Sequence, residues 1–150
     1  MSKGIKELKL IQEEDLQYQD FVTDKMHELL GWNLNCYASL KWNIEKGESL
    51  SRIEIKNDRL MESTGNLYIE VAEKDKNGNF VPSGIFRQDN TLIWWVGDYK
   101  KAFLIPKRIL KTLYYQVNFK KVETETSQGF LIPISYINKN PWVIIEELYF

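Results

Sequence analysis

Cysteine and histidine each occur once in the 150 residues, as Cys36 and His27. One cysteine excludes an internal disulfide and a cysteine-rich zinc site, and a reducing cytoplasm is the expected home. One histidine leaves any Ser-His-Asp chemistry resting on His27 alone. That residue sits in a charged helical stretch and reads as a helix-surface side chain, while Cys36 reads as a small core residue. No run approaches eighteen apolar residues, so no membrane-spanning helix is expected. The first fifteen residues are charged from the start and lack the apolar centre of a secretory signal. There is no glycine-rich repeat to cradle phosphate. The Pro82-Ser83-Gly84 loop, with its backbone amides, is the nearest approach to one.

What is present is an ordinary globular balance, 43% hydrophobic and 27% charged, long enough for one domain spanning 1–150 and too short for two. The net charge of −1 hides an asymmetry: residues 1–34 hold four basic and seven acidic residues, and residues 122–150 hold one and four. Between Tyr99 and Val122 stand Lys100, Lys101, Lys107, Arg108, Lys111, Lys120 and Lys121 with no acid among them. Interleaved with Phe103, Tyr114, Tyr115 and Phe119, this segment could attract phosphate and offer stacking surfaces, a DNA-binding face. The alternative is a solvated face of an ordinary sheet and helix.

Apolar residues at Ile11, Leu16, Val22, Met26, Leu29 and Leu30 predict an amphipathic helix stopped by Gly31. Asn33–Asn43 reads as a strand, residues 45–48 as a turn, and Ser51–Asp58 as a second, alternating strand. A short connection over Met61–Gly65 leads to a third strand, Asn66–Glu73. The turn at Lys74–Asn79 carries Asn77-Gly78 at its tip. Leu92–Val96 is apolar throughout, as a strand buried on both faces would be; Trp94 and Trp95 in it read as packing rather than a base-stacking platform. Ala102–Ile105 is a further strand, Pro106 opens a basic helix to about Leu113, Phe130–Ile134 is a late strand, and 141–150 is an apolar tail containing acids. The order predicts an α/β (α+β) domain around one mixed central sheet flanked by helices.

On the strand through residues 52–58, alternation puts Glu54, Lys56 and Asp58 on one face and Ile53 and Ile55 on the other. Asn66, Tyr68 and Glu70 share a face of the next strand. Antiparallel pairing of the two strands would set Glu70 beside Glu54 or Asp58. Such an oxygen-rich patch suits Mg²⁺ or Mn²⁺. A lysine beside the metal can orient or deprotonate a water, the latter helped by a depressed pKa. Together these parts amount to phosphodiester hydrolysis. Spacing alone equally fits an exposed sheet face laced by cross-strand ion pairs.

The longer pattern adds to this. Glu54-Ile55-Lys56-Asn57-Asp58, Thr64-Gly65-Asn66-Leu67-Tyr68-Ile69-Glu70, Pro82-Ser83-Gly84, Trp94-Trp95-Val96 and the repeated Leu104-Ile105-Pro106 and Leu131-Ile132-Pro133 resemble small phage and prophage members of the PD-(D/E)XK nuclease superfamily, over about residues 30–145. The resemblance implies a restriction-endonuclease-like core and a Mg²⁺- or Mn²⁺-dependent DNA endonuclease, acting on branched or structured DNA. It also implies a phage-encoded protein at work in a bacterial cytoplasm, with a homodimer as the expected assembly. It makes Glu54 a metal ligand, the Ile55 carbonyl a further one, and Lys56 the catalytic lysine. Asp58, Asn66 and Glu70 line or buttress the site, and Glu14 or Glu28 on the first helix supplies an acid.

One part of the pattern is missing. The superfamily's first aspartate lies about ten to fifteen residues before E-x-K, and residues 32–52 contain no Asp. Asn43 holds the best-placed position, with Glu45 the nearest carboxylate. An amide oxygen can touch a hard cation but brings no charge. An Asp→Asn variant without activity, a degenerate member that binds DNA or a protein partner without cutting, and an enzyme using Glu45 or Glu70 instead all fit the sequence.

Overall fold

The computed structural model describes residues 2–150, with side chains for 13–39 and 41–150. In chain order it comprises α1 (Ser2–Leu30), α2 (Leu40–Lys46), β1 (Ile53–Asn57), α3 (Met61–Thr64), β2 (Asn66–Lys74), β3 (Phe80–Pro82), β4 (Ile93–Gly97), β5 (Lys101–Pro106), α4 (Lys107–Gln116), β6 (Lys121–Glu123), β7 (Ser127–Pro133), α5 (Ile134–Lys139) and β8 (Glu146–Tyr149). The expected mixed sheet flanked by helices is there, in the order β1-β4-β5-β8. β1 runs parallel to β4, and the other pairs are antiparallel. A second, wholly antiparallel sheet, β3-β2-β7-β6, lies beside it and was not expected.

β4 explains the layering. Trp94 and Val96 project into a core shared with Leu67, Ile69, Phe130 and Ile132 of the second sheet. Trp95 projects the other way, against Tyr18, Val22 and Met26 of α1. Those three helix residues are four apart, so they form one stripe, and all are buried. Tyr18 ties the layers together: its hydroxyl donates to the Asp98 carbonyl at 3.0 Å and accepts the Trp95 indole N–H at 3.0 Å. A strand apolar on both faces needs cover on both sides, and here helix and second sheet supply it.

Two expectations are corrected. Residues 33–43 form no regular strand: Cys36 makes an isolated bridge to Ser49, and Leu40–Lys46 is helical. Ser39 caps that helix, its side chain accepting the Trp42 N–H at 3.3 Å. The aromatic pattern was not a burial signal, for Trp42 and Ile44 stay 46% and 61% exposed. Nor do β1 and β2 pair as a hairpin. α3 turns the chain out of the first sheet with Met61 buried beneath it, and β1 lies instead along doubly covered β4, while β2 pairs with β3 and β7.

The Pro82-Ser83-Gly84 loop closes on β2 rather than offering amides to solvent. Ser83 is buried and donates to Glu70 Oε2 at 3.0 Å. Gly84 has φ +56°, and a Cβ there would stand 2.0 Å from the Glu70 carbonyl oxygen. Gly84→Ala combines left-handed strain with that clash and should cost roughly 2 kcal/mol or more in urea unfolding; unchanged stability would mean the loop is not seated on β2.

Candidate active site

β1 is an edge strand, and its free side forms the site. Glu54 is level with Trp94 and Lys56 with Val96, so both side chains stand on the face turned toward the second sheet. Lys56 Nζ lies 3.7 Å from Glu54 Oε1 and 5.1 Å from the centre of the Trp94 ring. Glu54 is 8% exposed, and its Oε2 is buried with no hydrogen-bond partner. Along the open edge the Ile55 N–H donates to Glu48 Oε2 at 2.5 Å, and Glu48 Oε1 accepts from Gln19 Nε2 of α1 at 2.9 Å. In an extended strand one residue's N–H and C=O point to the same edge, so the Ile55 carbonyl faces this side too. A cleft of about 590 Å³ gathers Glu14, Asn43, Glu48, Glu54, Lys56 and Arg87.

Burial and crowding set the proton affinities. Burial pushes the Glu48 carboxyl up to about 7; its bonds from Ile55 and Gln19 work against that, and the Glu54 charge adds to it. Glu54 is likewise held above the usual carboxylate range by burial, with Lys56 opposing. For Lys56, burial disfavours the ammonium, but Glu54, Glu48 and Glu70 more than offset it and raise its pKa. A lysine raised in this way stays charged at neutral pH. Lys56 with these carboxylates around it is an electrostatic partner for an anion.

The expected residues distribute unevenly. Asn43 does line the cleft, from α2 rather than from a strand. Glu45 is exposed on the same helix and does not line it. Glu14 of α1 reaches the cleft and pairs with Arg59, whereas Glu28 is exposed and pairs with Lys25. Asp58 is not at the cleft: its two oxygens accept the backbone N–H groups of Leu60, at 3.3 Å, and Tyr68, at 2.9 Å, so it bridges β1 to β2. Glu70 and Asn66 line a neighbouring cavity that also includes Lys56. Glu70 thus acts on Lys56 through space without the strand pairing that was expected.

Glu48 was missed. In the chain it is one acid in a turn, and only the return of residues 48–50 against 35–37 brings it to β1. Nothing in the local spacing marks that.

The basic segment is split by its packing. Lys107 is buried, donating to the Arg87 carbonyl at 2.8 Å and to Asp89 Oδ1 at 3.0 Å. It is a fold-internal ion pair rather than a DNA contact, because its ammonium is already spent on groups inside the protein. Arg108, Lys111 and Tyr115 line an open cleft of about 940 Å³ that also includes Arg87, and Arg87 is shared with the acidic cleft. Lys100 and Lys101 sit at the other end of β5, the first bonded to Glu62 at 2.8 Å and the second over the Phe103 ring. His27 is exposed, and burial pushes the Cys36 thiol up to about 12, which leaves it unreactive.

Comparison with protein-family models, curated proteins and solved structures returns no match. No helix among the described residues is long and apolar enough to cross a membrane. The described residues contain no cluster of three His, Cys, Asp or Glu side chains suited to a metal. They do offer Glu48 and Glu54, the Asn43 amide and the Ile55 carbonyl at the strand edge, with one Glu54 oxygen unsatisfied in a buried place. Magnesium and manganese take such oxygens and complete their shell with water, so the residues fit a hard divalent cation.

Two stability measurements follow. A carboxyl whose pKa rises from about 4.5 unfolded to about 7 folded favours the fold at low pH, and that contribution is lost as pH rises through this window. In chelator, Glu48→Gln should therefore gain stability over the parent between pH 5 and 8, by up to about 3 kcal/mol; a pH-independent difference would contradict the burial of Glu48. Lys107→Met leaves the buried Asp89 without its closer cation, with only Arg87 at 3.9 Å and the Thr91 N–H remaining, and should cost about 3 kcal/mol by chemical denaturation.

Proposed function

We propose that this chain is a Mg²⁺- or Mn²⁺-dependent DNA endonuclease with a site of the PD-(D/E)XK type, acting on branched or structured DNA. The observation that carries the reading is a nearly buried Glu54 with an unsatisfied oxygen, set beside Glu48 and a charged Lys56 on an open strand edge. An unpaired buried carboxylate oxygen is costly, and a cation recruited to it relieves the cost.

Glu54, Glu48, the Ile55 carbonyl and Asn43 would hold the cation. When bound, such an ion polarises a phosphoryl oxygen and acidifies a water. Lys56 places a positive charge where a phosphate develops negative charge, which is worth most in a partly dry site. Glu48, fixed by Gln19 and by the Ile55 N–H, supplies the carboxylate that Asn43 cannot. Arg87 donates to the carbonyls of Asn43 and Ile44 at 2.9 and 2.6 Å. It thereby holds α2 over the cleft and marks the junction with the basic cleft of Arg108, Lys111 and Tyr115, along which a strand would leave the site.

A second reading, a DNA-binding protein without chemistry, is favoured by the same basic cleft and by an amide where an acid is expected. Cleavage of junction, loop and duplex DNA with Mn²⁺ separates the two. The endonuclease predicts cutting that is abolished by chelator and reduced about 100-fold or more by Lys56→Ala and by Glu54→Gln. No cutting by the parent or by Asn43→Asp contradicts it. Salt-sensitive DNA binding that survives chelator and is weakened by Arg108→Ala and Lys111→Ala would then support the binding reading.

A further inference from the structure

A second cavity opens on the other side of Lys56. It measures about 510 Å³ and lies between the end of β1 and the outer face of the second sheet. Trp94, Tyr68 and Leu131 give it apolar and aromatic walls, while Asn66, Glu70 and Lys56 bring polar groups to it. The walls are fixed in advance. The Tyr68 ring lies flat across β7 at Gly129, where a Cβ would come within 2.6 Å of two ring carbons. Its hydroxyl is tethered to Ser127 Oγ at 2.7 Å. Glu70 is held by Ser83 Oγ at 3.0 Å. Trp94 is fully buried, yet its indole N–H has no partner within the protein. A buried donor left without an acceptor is uncommon and calls for an explanation.

The chemistry of this lining selects a ligand. An aromatic wall takes a flat π-system. The Lys56 ammonium and the Arg59 guanidinium ask for acceptors, Glu70 asks for a donor, and the Asn66 amide serves either. A lipid tail or an aliphatic metabolite meets none of these, and a bare phosphate leaves the aromatic walls unused. A nucleobase carries ring nitrogens or carbonyls together with an exocyclic amine on one flat body, and the cavity has room for a purine. Lys56 lines this cavity and the acidic cleft alike. A base seated here would therefore belong to a nucleotide next to the phosphate held at that cleft.

We propose that the cavity lined by Trp94, Tyr68, Asn66 and Glu70 receives a single unstacked nucleobase adjoining the scissile phosphate. As to the phosphate's place, this rests on the endonuclease reading. A base can occupy such a cavity only when it is out of the stack, and it leaves the stack at least cost where it is already unpaired. The substrate class is then DNA with an unpaired base beside the cut, as at a junction, a loop or a single-stranded segment.

The test uses the whole chain, labelled with ¹⁵N, in chelator so that no cutting is needed. Its indole N–H signals are followed while deoxyadenosine 5′-monophosphate or deoxycytidine 5′-monophosphate is added, with 2-deoxyribose 5-phosphate as the control. The Trp94 signal is identified by its loss in Trp94→Phe or, should that variant not fold, by through-bond assignment. The Trp94 signal should move with the nucleotides at millimolar concentration and not with the sugar phosphate, while that of Trp95, already bonded to Tyr18, stays in place. Leu131→Phe, which narrows the cavity, should weaken the response at least fivefold while keeping a folded spectrum. A Trp94 signal that does not move, that moves equally with the sugar phosphate, or that responds undiminished in Leu131→Phe overturns the proposal. Cutting of DNA without any Trp94 response removes the base cavity and leaves the endonuclease standing. A Trp94 response in a protein that never cuts does the reverse.

Discussion

Glu54 is nearly buried and on an edge strand at once, its proton affinity raised by burial against the pull of Lys56, and much of the local architecture answers to that. Its strand neighbours Ile53 and Ile55 are committed to the core under α1, so alternation forces Glu54 and Lys56 onto the opposite face. There, one oxygen has an ammonium 3.7 Å away and the other has no partner. The free edge of β1 then fills with Glu48, which brings a second acid rather than relief. Packing that serves the fold thus concentrates carboxyl groups in a place of poor solvation. A fold under selection for stability alone would place an apolar residue at position 54.

The two sheets matter because they turn one lysine into a divide. On one side of Lys56 lies the acidic cleft against α1 and α2; on the other lies the aromatic cavity against the second sheet. Arg87 performs the same service between the acidic cleft and the basic one. Three cavities of different chemistry therefore meet around three cationic side chains, for Arg59 is shared by the acidic cleft and the aromatic cavity as well. An extended polymer of phosphates and bases can engage all three at once, where a small ligand would use one. This convergence is the physical support for a nucleic-acid substrate, since the overall charge of the chain is close to neutral.

Much of the fold was legible in local pattern. The first helix with Val22 and Met26 on its buried face, the alternation through Ile53–Asn57, the doubly apolar run at Trp94–Val96 and the breaks at Lys74–Asn79 and Pro106 all encode their own structure within a few residues, although the expected Leu16 and Leu29 are exposed and Tyr18 takes the third place in the buried stripe. What was not legible depended on distant partners. The helix at Leu40–Lys46 wins over the aromatic strand pattern because Trp42 and Ile44 find no core to enter. β1 takes β4 as its neighbour, forty residues on, because a strand apolar on both faces leaves fewer groups unsatisfied inside the sheet. Lys107 reads as one more surface cation until Asp89 is seen beneath it. At the site, Glu54, Lys56 and Glu70 could be named from spacing, but Glu48 could not, because its approach to Ile55 is a tertiary event. The absence of an aspartate in residues 32–52 pointed to a weakened site, and the fold places a glutamate there by another route.

A crystal soaked in Mn²⁺ and measured at the manganese absorption edge addresses the buried, unsatisfied carboxylate most directly. The account predicts one anomalous peak on the free side of β1, in contact with Glu54 and Glu48 and next to the Ile55 carbonyl. No peak there at saturating Mn²⁺, with Glu54 Oε2 capped by a protein group instead, would contradict it.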